Sequence, residues 1–207
     1  VARAYRNQND PQAELEYLLK SYDMYERVYE HKPCNLDLAN CLDNLGSAYG
    51  ANQDPDAELE YKKESFDIKQ SLFLGDHYEI AIILNNISNA YRNMNDHKNE
   101  LKYALSSFHM FKRLYDGDHR NLAAALNNVG IAYGNNRDHR QELDYLIRSL
   151  EMFRRLYCGD HIDLINLLEN ISRACKKVGD KKSEQSYRQA AEEMKGRLID
   201  CELYYRV

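Results

Sequence analysis

The 207-residue chain carries a formal net charge of −5, with 29% charged residues, no Trp and 17 Tyr. A mildly acidic chain is a poor candidate for nucleic-acid binding, which needs many phosphate-facing Lys and Arg side chains. No apolar run approaches the roughly 20 residues of a membrane-spanning helix, and the start lacks the pattern of a secretory signal. We therefore expect neither a nucleic-acid nor a membrane partner.

The sequence nearly repeats itself every 42 residues: the run from Leu42 to Tyr49 recurs at 84–91 and 126–133, and more weakly at 168–175. Fixed self-similarity at such a period is typical of solenoids, in which each repeat buries its apolar face against its neighbours. It predicts a single array over residues 1–207, with repeats at 1–32, 33–74, 75–116, 117–158 and 159–200 and a tail at 201–207. The chain starts without Met and part-way through a repeat, so we expect a fragment of a longer protein.

Each repeat contains two helical patterns. In the first, apolar residues recur at spacings of four, three and four, which keeps them on one face. First helices are predicted at 36–51, 78–93, 120–135 and 162–177, with the tail of another at 1–8. Second helices are predicted at 11–30, 55–74, 97–116, 139–158 and 181–200. A recurring Tyr of the second helix (Tyr17, Tyr61, Tyr103, Tyr145, Tyr187) is predicted to pack rather than to bind a ligand.

Two kinds of turn join the helices. An Asp precedes each second helix and is the predicted N-cap: Asp10, Asp54, Asp96, Asp138 and Asp180. A Gly-Asp-His run precedes three of the first helices, at 75–77, 117–119 and 159–161, where Gly is predicted to end one helix and Asp to cap the next. The histidines are interpreted as turn and cap residues rather than metal ligands, because neighbouring helices hold them roughly 10 Å apart.

One position inside the first helix is always small: Gly46, Ser88, Gly130 and Ser172. Gly inside a helix costs about 1 kcal/mol relative to Ala. Its recurrence therefore predicts a close helix approach that excludes a larger side chain.

The run Leu-x-x-Leu-Gly-x-x-Tyr at 42–49 resembles the first-helix signature of tetratricopeptide repeats. The longer repeat, with its Gly-x-His turn and Leu-Asn-Asn core, is similar to the kinesin light chain type. This resemblance implies an all-α, right-handed superhelical solenoid of antiparallel helix pairs that acts as a protein interaction module. No Ser-His-Asp, P-loop or HExxH arrangement occurs, so we expect no enzyme, cofactor or metal.

One feature departs from the family pattern. Where a small Ala is usual early in the second helix, this chain has a glutamate in every repeat: Glu14, Glu58, Glu100, Glu142 and Glu184. A Glu cannot fill a tight helix contact unpaired. We expect either a slightly rotated second helix, or a Glu that reaches solvent or a neighbouring cation.

The resemblance implies that first helices line a concave groove and that one Asn in each contacts a bound peptide. In this chain these residues are Asn44, Asn86, Asn128 and Asn170. An Asn amide offers a donor and an acceptor, so it can pair with the N–H and C=O of a peptide main chain. The alternative is that these Asn bridge neighbouring helices of the array.

Adjoining groove positions vary between repeats and are either specificity residues or an unconstrained surface: Asp43, Asn85, Asn127, Asn89 and Arg173. Arg92 and Arg173 also belong to groups of cations at the ends of the array, which could meet an acidic stretch of a ligand or be solvated helix ends. The leading hypothesis is a scaffold or adaptor that binds an extended or short helical peptide of a partner protein. The alternative is a self-associating array, or a regulatory array within a larger protein. The five cysteines follow no pairing pattern, which indicates reduced thiols and a cytoplasmic location.

Overall fold

The computed structural model describes residues 10–29 and 35–204. Within these ranges the chain forms nine α-helices and no β-strand. In chain order they are α1 (Pro11–Tyr29), α2 (Leu36–Ala51), α3 (Pro55–Leu72), α4 (Tyr78–Asn93), α5 (His97–Leu114), α6 (Arg120–Asn135), α7 (His139–Leu156), α8 (Ile162–Val178) and α9 (Lys181–Tyr204). The predicted all-α fold of paired helices is confirmed, with α2, α4, α6 and α8 as the first helices.

The predicted bounds of the first helices agree with the observed ones to within one residue. The last helix differs, because α9 runs on to Tyr204 through the start of the predicted tail. Residues 197–204 contain no Gly or Pro, so nothing in the backbone stops the helix at residue 200. The predicted helix at 1–8 lies outside the described residues, and the division into five repeats stays a prediction.

The chain divides into two compact halves, residues 1–110 and 111–207, here called the N-terminal and C-terminal halves. In the N-terminal half, α2 packs on α1 and α3, and α3 packs on α4. Its buried clusters centre on Leu45 and Ile87. In the C-terminal half, α7 packs on α6 and α8, and α8 packs on α9, around a cluster that includes Leu146 and Leu168.

Serine hydroxyls attach second helices to their first helices. Each of three fully buried serines donates to the carbonyl of an alanine 26 residues earlier, over 2.7 Å. The three are Ser65, Ser107 and Ser149. Because a buried hydroxyl without a partner is costly, these contacts fix how far each second helix can slide along its partner.

The recurring tyrosines of α3, α5 and α7 pack as predicted. Tyr61, Tyr103 and Tyr145 stack on tyrosines at the ends of the partner first helices, with ring centroids 5.2, 5.3 and 5.4 Å apart. Burial is the largest cause that raises the pKa of Tyr61 to about 12, because it disfavours the charged phenolate. These three rings therefore hold helices together. Tyr17 of α1 differs from them, because it is 37% exposed.

The close helix approach predicted at the glycines is confirmed. A Cβ added to Gly46 would lie 2.9 Å from the carbonyl oxygen of Glu58 and 3.0 Å from Cγ of Lys62. A Cβ on Gly130 would lie 2.8 Å from Cγ of Leu146. Where the position is Ser88, the hydroxyl relieves the crowding by donating to the Glu100 carbonyl over 2.9 Å.

We expect Gly46→Ala to lower the free energy of unfolding by about 1–3 kcal/mol, the usual cost of overpacking. This loss should outweigh the roughly 1 kcal/mol that Ala contributes to helix propensity. Gly196→Ala is the matched control, because Gly196 also lies inside a helix, α9, and a Cβ there meets nothing within 4 Å. Urea unfolding of both variants checks the prediction, and equal stability of the two would contradict it.

The Asp residues before the second helices are N-caps, as predicted. Asp54 accepts a hydrogen bond from the Ala57 amide and Asp138 from the Gln141 amide, each over 3.1 Å. These bonds satisfy backbone donors that the first turn of a helix leaves unpaired.

The Gly-Asp-His turns confirm the histidines as cap residues and correct the roles predicted for Gly and Asp. The helix caps are His77, His119 and His161, whose Nδ1 atoms accept the backbone N–H two residues later. Each imidazole also stacks on the aromatic residue that follows the preceding helix, with centroids 3.5 to 3.8 Å apart. The helices end at Leu72, Leu114 and Leu156, before the glycines, so Gly does not end them.

In the C-terminal half the aspartates of these turns have another role. Asp118 accepts two hydrogen bonds from Arg155, and Asp160 two from Arg197, each pair at 2.6 and 2.9 Å. The bond from the guanidinium lowers the pKa of each carboxyl. Because a bidentate pair with Arg holds the carboxylate away from the helix N-terminus, His is left to cap it.

Candidate functional site

The predicted site residues lie on the first helices, and some of them meet between neighbouring first helices within each half. In the N-terminal half, Asn86 of α4 reaches Asp43 of α2, and its Nδ2 donates to both carboxylate oxygens at 3.1 and 2.8 Å. Asp43 also accepts from Nζ of Lys62 at 3.1 Å. The amide thus joins two successive first helices through a shared carboxylate.

Lys62 pairs with the Asp43 carboxylate of this contact and was not identified from the sequence. It belongs to α3, is 2% exposed, and its Nζ also donates to Oγ of Ser47 over 2.7 Å. A Ser–Lys contact can serve nucleophilic catalysis only if the amine is a neutral base. Here the ammonium is paired with the Asp43 carboxylate, so the arrangement is a structural ion pair.

The C-terminal half contains the corresponding link without a carboxylate or a buried lysine. Asn170 of α8 donates to Oδ1 of Asn127 on α6 over 3.0 Å, and Asn127 donates to Oδ1 of Asn128 at 3.4 Å. Arg173 in turn donates to Oδ1 of Asn170. Four predicted site residues are therefore connected in one direction, each donating to the next.

These contacts bear on the two interpretations of the Asn positions. The bridging interpretation describes what Asn86 and Asn170 do in the free chain. Contact with a peptide stays a prediction. Asn44 is exposed on α2, and Asn85 is half-buried on α4.

Asn89 and Arg92 lie one turn apart on α4 and outside the Asp43 contact. Oδ1 of Asn89 and Nη2 of Arg92 are buried without a hydrogen-bond partner among the described residues. Nε of Arg92 is paired with Glu100 at 2.6 Å. The two side chains therefore hold an acceptor and a donor that no described residue satisfies.

The recurring glutamates are buried and paired, so the solvent interpretation is wrong for Glu58, Glu100 and Glu142. Glu100 is fully buried between Arg92 and Nδ1 of His97, at 2.6 and 3.1 Å. Glu142 is 5% exposed and accepts from Lys177 at 2.8 Å. Glu58 accepts from Asn93 over 2.8 Å. Glu14 is also buried, and Glu184 is half-buried.

Two glycines explain how a Glu fits where a small residue is usual. A Cβ on Gly50 or Gly134 would lie 2.3 Å from carboxylate atoms of Glu58 or Glu142. The carboxylates therefore occupy the space that a side chain would fill, and from there they contact the next first helix, at Asn93 and Lys177. On α4 the position of Gly50 and Gly134 is occupied by Arg92, which provides the cation for Glu100.

Two cavities lie along the amide link of the C-terminal half. One, of about 320 Å³, lies between α6 and α8; its lining includes three amides, Asn121, Asn127 and Asn166, and the side chain of Phe153. The other, of about 190 Å³, is lined by Asn135, Asn170, Arg173, Lys177 and others. Both offer amide donors and acceptors, which suits main-chain recognition.

In the N-terminal half, the position equivalent to Phe153 is occupied by a charged residue. Lys69 stands where Phe153 stands in the C-terminal half; it is 1% exposed and its Nζ lies 2.7 Å from the Glu79 carboxylate.

Among the described residues, no group of three or more His, Cys, Asp or Glu side chains could hold a metal ion. None of the described helices has the length and apolar character needed to cross a membrane.

Comparison with known proteins identifies the family. A tetratricopeptide repeat profile matches residues 79–154, and a second profile with the same description matches residues 1–32. Together the two matches cover just over half of the chain. The chain belongs to the tetratricopeptide repeat (TPR) family. No curated protein matched it significantly.

Solved structures share the TPR fold. Nearly identical TPR-like repeats of a kinesin light chain from Podosopora anserina align with a TM-score of 0.80 and 14% identity, over 96% of this chain and 93% of that one. BtubC from P. vanneervenii gives 0.81 and 18%, over 96% and 78%. A Rap protein complexed with Competence and Sporulation Factor gives 0.75 and 14%, over 96% and 53%. The array is thus of the kinesin light chain-like type in its fold.

Proposed function

We propose that this TPR array is a protein interaction module whose first helices bind a peptide segment of a partner protein. The observation that carries the proposal is the placement of the Asn amides between successive first helices, at Asn86 and at Asn170. Asn is a mediocre helix former, so its presence at the same position of every first helix calls for a reason beyond helix stability. Recognition of a main chain gives one, because it needs donors and acceptors at regular spacing.

The surroundings of the amides support a peptide ligand. The cavities of the C-terminal half have room for side chains beside the amides, with Phe153 and Leu167 in one lining and Ile131 in the other. A Rap protein of similar fold is complexed with Competence and Sporulation Factor, so a fold of this kind can hold a ligand. Among the described residues, the ionised groups near the amides are paired in structural contacts, which favours binding over catalysis.

A phage-displayed random peptide library panned on the immobilised chain would test the proposal. For the captured peptides, calorimetry should show that Asn86→Leu/Asn128→Leu weakens binding by about tenfold or more, since each lost hydrogen bond is worth about 0.5–1.5 kcal/mol. Gln70→Leu on α3 is the matched control, because it makes the same amide-to-leucine change at an exposed position of a second helix.

Thermal unfolding of the double variant should stay within a few degrees of the wild type, so that lost binding is not lost folding. Unchanged affinity in the double variant would contradict the proposal. So would capture of no peptide together with concentration-dependent light scattering, which would favour self-association.

A further inference from the structure

The two halves build the same link between first helices with different chemistry. In the N-terminal half, Asn86 donates to Asp43, which also accepts from Nζ of Lys62. In the C-terminal half, Asn170 donates to Asn127 over 3.0 Å, and the residue at the position of Lys62 is Leu146. The halves therefore allow a comparison of a link that includes a buried ion pair with a link between two amides.

The charged version needs a reason other than stability. Lys62 is 2% exposed, and its ammonium is paired with Asp43, whose side chain is 17% exposed. A buried ion pair is on average no more stabilising than well-packed apolar residues of similar volume. Leu146 shows that an apolar residue fits this position, because it is fully buried in the core of the C-terminal half.

The carboxylate of Asp43 orients the amide of Asn86. Both carboxylate oxygens of Asp43 accept from its Nδ2, which turns its Oδ1 away from Asp43. Among the described residues, Oδ1 of Asn86 has no hydrogen-bond partner, and it is not one of the buried unpaired atoms. In the C-terminal half the matching oxygen of Asn170 accepts from Arg173. The N-terminal half therefore presents an acceptor where the C-terminal half presents a satisfied amide.

We propose that Lys62 is a positioning residue that makes Asn86 an acceptor for a main-chain N–H of the bound peptide; this rests on the proposed function. Lys62 holds Asp43, and Asp43 holds the NH₂ group of Asn86. The ammonium lies 3.1 Å from the Asp43 carboxylate and 4.0 Å from that of Glu58, so it offsets part of the negative charge beside the acceptor. Without Lys62 the unbalanced carboxylate would favour a cationic ligand.

Nuclear magnetic resonance of the free 207-residue chain tests the positioning without any ligand. In ¹⁵N-labelled Lys62→Leu, the side-chain amide resonances of Asn86 should move, while those of Asn170 stay in place. The triple variant Asp43→Asn/Ser47→Ile/Lys62→Leu copies Asn127, Ile131 and Leu146 into the N-terminal half. It should return the Asn86 amide to a hydrogen-bonded shift. An Asn86 amide that does not respond to Lys62→Leu would overturn the proposal, whatever the chain binds.

Binding supplies the second test. A captured neutral peptide should bind Lys62→Leu about tenfold more weakly than the wild type, and the triple variant should recover most of that loss. Peptides with an added lysine should gain relative affinity for Lys62→Leu only. Equal affinity of the wild type and Lys62→Leu for both peptides would overturn the binding role. If the Asn86 amide moves but the wild type captures no peptide, the proposed function fails while the positioning of Asn86 stands.

Discussion

Glu79→Ala should lower the free energy of unfolding by about 3–5 kcal/mol, the usual cost of removing one partner from a buried ion pair. The substitution leaves the ammonium of Lys69 without its carboxylate. Lys69 is 1% exposed, and its Nζ lies 2.7 Å from Oε2 of Glu79. An isolated charge at such a position has neither water nor a counter-ion to stabilise it.

The chain provides its own control for this pair. One repeat later the same two positions are Phe111 and Asn121, an apolar residue and a neutral one. Lys69→Phe/Glu79→Asn should therefore recover most of the stability that Glu79→Ala loses. Urea unfolding of the three proteins checks this, and a loss below about 1 kcal/mol in Glu79→Ala would contradict it.

The pH dependence of the same pair has a definite sign. Burial alone would raise the pKa of Glu79, but the hydrogen bond and charge of Lys69 outweigh it, so the pKa is lowered. A carboxyl whose pKa is lower in the folded chain stabilises the fold above its unfolded value, and this stability is lost as the pH falls through the folded pKa. The stability difference between wild type and Lys69→Phe/Glu79→Asn should therefore shift in favour of the variant in acid.

Glu100→Ala should lower the free energy of unfolding by about 3 kcal/mol, because it removes a fully buried carboxylate and leaves a cavity and, among the described contacts, two unmatched partners. Those partners are Nε of Arg92 at 2.6 Å and Nδ1 of His97 at 3.1 Å. The side chain of Arg92 is 29% exposed, so water can partly solvate its charge. We therefore expect Glu100→Ala to lower the free energy of unfolding by less than the upper end of the range given for Glu79→Ala.

Glu184→Ala is the matched control, because it makes the same change in the last repeat, where the side chain is half-buried. It should change the stability by no more than about 0.5–1 kcal/mol. Thermal unfolding by calorimetry distinguishes the two variants. A Glu100→Ala protein as stable as Glu184→Ala would mean that the buried glutamates are not needed for packing.

The sequence predicted the helices well because their signals are local and recur in every repeat. Apolar spacing placed the first helices, Asp placed the caps of the second helices, and Gly46 and Gly130 marked the close approach. In the Gly-Asp-His turns the histidines were correctly interpreted as cap residues, but Asp was wrongly expected to cap the helix because it is the stronger cap by propensity. Asp118 and Asp160 are instead held by Arg155 and Arg197 from 37 residues further on. A matching Arg at the same position of successive repeats was the signal available.

The candidate site was predicted less completely. The Asn positions were identified, but the partners of Asn86 and Asn170 depend on which residues face each other between helices, and a single sequence does not provide that. Lys62 and Lys69 were missed because the same positions of the two repeats that follow are small or apolar: Ala104 and Leu146 for the first, Phe111 and Phe153 for the second. A lysine at a position that is apolar in the neighbouring repeats is a sign of a buried ion pair.

The most direct measurement follows the side-chain amides of a ¹⁵N-labelled chain during titration with a captured peptide. Peptide binding by the first helices predicts that the amide resonances of Asn86 and Asn170 shift and saturate with the affinity measured by calorimetry, while that of Gln70 stays in place. A peptide that saturates the chain and moves only resonances of second-helix residues, with both Asn amides unchanged, would contradict it.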